Sequence, residues 1–176
     1  MLGISRRQSL RLALAAGVGV VGGCGVATRN KLDPRPPAEP KGFVESDGLK
    51  IYYESEGEGR AIVVVHGWGS SLQGNWVDTG WVEALRPMRR VVALDVRGHG
   101  ASDKPRDQAV YSYAKMSHDV LAVMDHLGLE TADYLGYSMG ACMGASLLGQ
   151  APARFGKMIL GGIGDETDES LAGLES

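Results

Sequence analysis

Gly136-Tyr137-Ser138-Met139-Gly140 sets a hydroxyl between two glycines at a point where an apolar strand pattern gives way to a helical one. A serine in such a turn is held in a strained backbone with its Oγ lifted to the rim of a sheet, because side chains at the glycine positions would collide with neighbouring elements. The chemistry open to it is attack on a carbonyl carbon, once a base has taken the hydroxyl proton. Two further glycine-rich stretches follow earlier apolar runs: His66-Gly67-Trp68-Gly69, and Asp95-Val96-Arg97-Gly98-His99-Gly100-Ala101-Ser102-Asp103. All four histidines of the sequence (His66, His99, His118, His126) precede Ser138. His66 and His99 stand at the ends of strand patterns and are candidate bases. His118 and His126 share a helical pattern and read as surface or packing residues. The two cysteines, Cys24 and Cys142, form neither a zinc spacing nor a disulfide framework. Cys142 reads as a small packing residue, and no metal or cofactor is expected.

The elements that must position these groups alternate between strand and helix, the order of a mostly parallel sheet with helices on both faces. Phe43 to Ser46 and Leu49 to Glu54 flank Asp47-Gly48, which suits an antiparallel hairpin. Ala61 to His66 and Arg90 to Leu94 are β-branched runs of the kind found in buried parallel strands. Gly80 to Leu85 suits part of a short helix between them. Tyr113 to Leu127 carries Met116, Val120, Val123, Met124 and Leu127 at helical spacing. Ala132 to Tyr137 is the strand before Ser138. Met139 to Gln150 is the helix after it, stopped by Ala151-Pro152. Lys157 to Ile163 is the last expected strand. Trp76 and Trp81 are candidates for the core or for the wall of a cleft.

The three motifs, in this order and at this spacing, resemble the serine members of the α/β-hydrolase family. The resemblance implies Ser138 as nucleophile, the backbone N–H groups of Trp68 and Met139 as an oxyanion hole, and an architectural role for the Asp95 to Asp103 loop. Serine at the elbow, where relatives that open epoxides or remove halides place aspartate, implies acyl transfer on a small-molecule acyl substrate by an esterase, lipase, amidase or carbon–carbon bond hydrolase. In this family the catalytic acid and then the histidine follow the serine, and no histidine follows Ser138. Asp165, Glu166, Asp168 and Glu169 stand where some members place the acid, or open a solvated lid segment. The expectation is a partial α/β-hydrolase domain over residues 42–176, truncated after about six strands, with its last strand edge open to self-association. The alternative is a catalytically inactive envelope binding module or subunit that uses the open site. A third reading is a minimal enzyme with His66 or His99 as its base.

Residues 1–24 carry the parts of an export signal: basic Arg6, Arg7 and Arg11, an uncharged apolar run from Leu12 to Val21 too short to span a bilayer, and Val21-Gly22-Gly23-Cys24. The last resembles a lipoprotein box, which implies lipid on Cys24, a membrane anchor and a place in the bacterial cell envelope. The pair Arg6-Arg7 also resembles a twin-arginine export motif. An uncleaved anchor is the alternative. Residues 25–41 hold four of the seven prolines and read as an extended tether. Loss of the signal would take the net charge from −3 to about −6, which argues against a nucleic-acid partner.

Overall fold

The computed structural model describes residues 39–163. Residues 1–24, read above as an export signal ending at Cys24, most of the expected tether and the acidic residues after Ile163 lie outside them. Strands β1 (Lys41–Ser46) and β2 (Leu49–Glu56) form the expected antiparallel hairpin. Its turn takes positive φ at both Asp47 (50°) and Gly48 (78°), the twist that two-residue hairpins require. Lys41, given to the tether by composition, already opens β1.

Four further strands follow: β3 (Ala61–Val65), β4 (Arg90–Leu94), β5 (Ala132–Tyr137) and β6 (Phe155–Gly161). The sheet order is β1-β2-β4-β3-β5-β6, with β3 to β6 parallel and β2 antiparallel to β4. Parallel pairing brings the ends of β3, β4 and β5 to one rim, so the three glycine-rich motifs become neighbours there. Helices α1 (Trp81–Leu85), α2 (Tyr113–His126) and α3 (Met139–Gln150) provide the crossovers.

Every residue of β3 is buried, and alternation divides them between two cores. Val63 and Val65 face α2 and α3 together with Val92, Leu94, Met116, Val120, Val123 and Met143. Ile62 and Val64 face the other side, against Leu72, which precedes a π-helical turn (Gln73–Val77), Trp76 of that turn and Val82 of α1. Full burial of such a side chain is worth about 1.5–3 kcal/mol, so this strand anchors both layers. The helical spacing expected over Tyr113 to Leu127 is the buried face of α2, whose N-cap Ser112 accepts from the Lys115 amide.

The last strand runs two residues earlier than the expected Lys157 to Ile163. Phe155 is buried and pairs with Ala132, which starts the strand at once after the 3-10 turn Pro152–Arg154. Gly162, at φ 72°, turns the chain out of the sheet. Among the described residues β6 is an edge, paired with β5 alone.

Candidate active site

Ser138 links β5 directly to α3 at φ 51° and ψ −113°. A non-glycine residue at positive φ costs on the order of 1–3 kcal/mol and persists only where its surroundings enforce it. The surroundings do so here. A Cβ at Gly136 would run into the Gly140 carbonyl, and one at Gly140 into the Val65 carbonyl, so both glycines let backbones meet where no side chain fits. The Ser138 amide donates to the Gly161 carbonyl of β6 (2.8 Å), and its own carbonyl accepts from Ala141 (2.8 Å) and Cys142 (3.0 Å) to start α3. Beneath, the fully buried Tyr134 hydroxyl donates to the Gly140 carbonyl, and burial holds that phenol above its ordinary pKa. The Ser138 side chain makes no capping bond, and among the described residues nothing bonds its half-buried Oγ.

The loop after β3 packs on this elbow. A Cβ on Gly67 would lie 3.4 Å from the Ser138 Cβ and 3.1 Å from the Tyr137 ring. Its amide N–H groups are spent in turn: Gly67 donates to Asn75 Oδ1 (3.1 Å), Gly69 to His99 Nε2 (3.2 Å) and Ser70 to the Gly67 carbonyl (3.3 Å). Trp68 is the exception, since its N–H meets no acceptor among the described residues. The same holds for the Met139 N–H, the first of α3 and one of the donors a helix start leaves unpaired. Nothing in the sequence around Asn75 pointed to its place beneath the loop.

Neither candidate base has a free nitrogen. His66 is fully buried, its Nε2 accepts from the Val96 amide (3.1 Å), and its Nδ1–H donates to the Gly67 carbonyl (2.8 Å). Burial, opposed by that carbonyl, pushes its pKa below the ordinary histidine value, so the ring is neutral. His99 accepts from Gly69 through Nε2 and faces the Arg97 carbonyl with Nδ1 (3.2 Å). The two ring centroids lie 5.0 Å apart with the planes tilted by 60°, between the loops they join. His118 meets Asp47 (3.4 Å) and His126 the Tyr53 hydroxyl (3.1 Å), so the structure brings none of the four histidines to Ser138 as a hydrogen-bond partner.

The loop after β4 braces the rim. Asp95 is buried, accepting the Leu72 amide (2.7 Å) and the Ala101 amide (2.8 Å), and a Cβ on Gly100 would strike its carboxyl group. Arg97, also buried, pairs with Asp119 through Nε (2.9 Å) and Nη2 (2.6 Å) and reaches Asp47 in the hairpin turn (3.0 Å). Beside this loop opens a cleft of about 660 Å³, lined among others by Trp68, His99, Lys104, Gln108 and Tyr111. Ser138 is outside this lining, while Trp68, which follows the Gly67 that packs on Ser138, is part of it. Trp68 is 77% exposed. Trp76 is buried in the core with Trp81 half-exposed against it, and neither lines the cleft. Among the described residues no group of His, Cys, Asp and Glu could hold a metal ion, and no helix is long and apolar enough to cross a membrane.

A family model described as the alpha/beta hydrolase fold matches residues 60–174. The dihydrolipoyllysine-residue acetyltransferase component of the acetoin cleaving system from Pseudomonas putida is 38% identical over 125 residues, 70% of this chain and 32% of that protein. The 2-hydroxymuconate semialdehyde hydrolase of Pseudomonas putida is 30% identical over 129 residues, 73% of this chain and 45% of its own length. The crystal structure of the enol-lactonase from Burkholderia xenovorans LB400 superposes with a TM-score of 0.62 at 30% identity, covering 68% of this chain and 45% of that one. This chain thus spans between a third and a half of the length of these relatives. With its sheet order, its serine elbow and a family model that matches most of its length, the chain belongs to the α/β-hydrolase fold family.

Proposed function

We propose that Ser138 is the nucleophile of a serine hydrolase acting on an ester or related acyl compound, with the Trp68 and Met139 amides as its oxyanion donors. The observation that carries this reading is the strained backbone of Ser138, whose hydroxyl has no partner among the described residues, beside the uncommitted Met139 N–H and against the loop that carries the uncommitted Trp68 N–H. Fixed donors aimed at a developing oxyanion lower the barrier because they need no reorganisation as charge appears. The similarity to a semialdehyde hydrolase and an enol-lactonase supports hydrolysis of a small acyl compound. The histidine that would activate Ser138 is none of the four in the sequence, since each is partnered elsewhere. Left to itself, the chain should hydrolyse short activated esters barely above background.

The test is covalent. A fluorophosphonate, offered with and without imidazole as a replacement base, should modify Ser138 faster with imidazole, and peptide mass spectrometry should find no adduct in Ser138→Ala. Modification elsewhere, or none, sinks the assignment. Turnover of activated esters on the order of one per second, abolished by Ser138→Ala, would show instead that a base exists within the chain. The commitment of all four histidines also favours a second reading, a binding module that uses the open site without turnover.

Residues 1–24 support a separate proposal, a lipid anchor on Cys24 that holds the domain in the cell envelope. Radiolabelled fatty acid should enter the wild type and not Cys24→Ser; label kept by the variant would overturn it.

A further inference from the structure

The cleft beside the Asp95 to Asp103 loop is walled by two aromatic side chains, Trp68 and Tyr111, and one charged side chain lines it, Lys104. The Lys104 Nζ donates to the carbonyls of Gly100 (2.6 Å) and Ser102 (3.0 Å). Those acceptors are neutral, so they fix the ammonium in place without cancelling its charge. The acids of the same segment are spent on backbone amides. Asp95 holds Leu72 and Ala101, Asp103 accepts from the Lys50 amide (2.8 Å), and Asp107 from the Ala109 amide (2.9 Å). Among the described residues no carboxylate pairs with Lys104.

We infer that Lys104 is an anion-recognising group of this cleft, and that the acyl compound taken there carries a carboxylate. The acyl part rests on the reading of Ser138; the anion preference does not. A single preplaced cation beside two aromatic faces suits one negative charge on a flat or unsaturated body. Because Lys104 is solvent-exposed, the gain is that of a screened pair, and salt should erode it.

Binding of 4-phenylbutyrate and of its neutral amide to the purified full chain, followed by calorimetric or NMR titration, reads this directly. The carboxylate should bind more tightly than the amide by up to about fivefold, the most an exposed ion pair supplies. The preference should shrink in half-molar salt, vanish in Lys104→Gln, and survive in Lys104→Arg. Equal affinities in the wild type, a preference indifferent to salt, or one that outlives Lys104→Gln would overturn the inference. The salt arm needs no variant to fold. Anion preference without fluorophosphonate labelling of Ser138 sinks the serine assignment alone; labelling without preference sinks this inference alone.

Discussion

At the rim formed by the ends of β3, β4 and β5, two glycine-rich loops spend their polar groups in opposite ways. In the Asp95 to Asp103 loop the buried carboxylate, the buried guanidinium and the Ser102 hydroxyl all have partners, with Ser102 donating to the Asp95 carbonyl (2.6 Å) and accepting from Tyr52 (2.8 Å). Around Ser138 the backbone is strained, the hydroxyl is unbonded and two amide donors are uncommitted. Groups left unpaired at a rim remain available to a substrate, whereas saturated ones serve the fold. Glycine has one physical use in both, close backbone approach, and the satisfaction of neighbouring polar groups separates the two loops.

Substitutions can break or sharpen that contrast. The largest effect is expected in the bracing loop: Arg97→Met leaves Asp119 buried and uncompensated and should cost about 3–5 kcal/mol in denaturant melts, if the variant folds at all. A loss below about 1 kcal/mol would show that the loop is not the brace described here. Gly140→Ala should cost about 3 kcal/mol by driving a methyl group into the Val65 carbonyl, so the elbow is intolerant in its packing though permissive in its polar groups.

His66 predicts a pH dependence with a fixed sign. Its folded pKa is depressed, chiefly by burial, so below the unfolded value near 6.5 the unfolded chain binds a proton that the folded chain refuses. Stability should therefore be full above that value and fall as pH drops through it, and His66→Asn should flatten melts taken between pH 5 and pH 7. An unchanged slope would mean that another group governs that window.

At the elbow the contrast predicts a gain. Ser138→Gly should raise stability by about 1 kcal/mol, because glycine adopts the backbone that serine occupies under strain. A loss would place the strain elsewhere. Trp68→Ala, at the most exposed aromatic of the cleft, should stay within about 0.5 kcal/mol of wild type while weakening ligand binding.

Much of this was legible in order and spacing. The β-branched runs at β3 and β4, the helical periodicity of α2 and the Asp47-Gly48 turn each follow from local chemistry, and three motifs ahead of three helical crossovers fix a parallel sheet with its loops on one rim. Composition misled only at boundaries: Lys41 belongs to β1, and β6 begins at Phe155 because that ring is buried beside Tyr134 (centroids 5.7 Å apart).

By itself the sequence determined which residues could do chemistry and that Ser138 would stand at a strand-to-helix turn, since glycine spacing and hydrophobic period are properties of neighbours along the chain. Only the tertiary structure decided that His66 and His99 serve the backbone and that Lys104 lines a cleft. Hydrogen-bond partners such as Val96 for His66, Leu72 for Asp95 and Asp119 for Arg97 come from 22 to 30 residues away, and no local pattern encodes them. A histidine at a strand end looks the same whether its nitrogens are free or taken, and folding alone brings in the amides that take them.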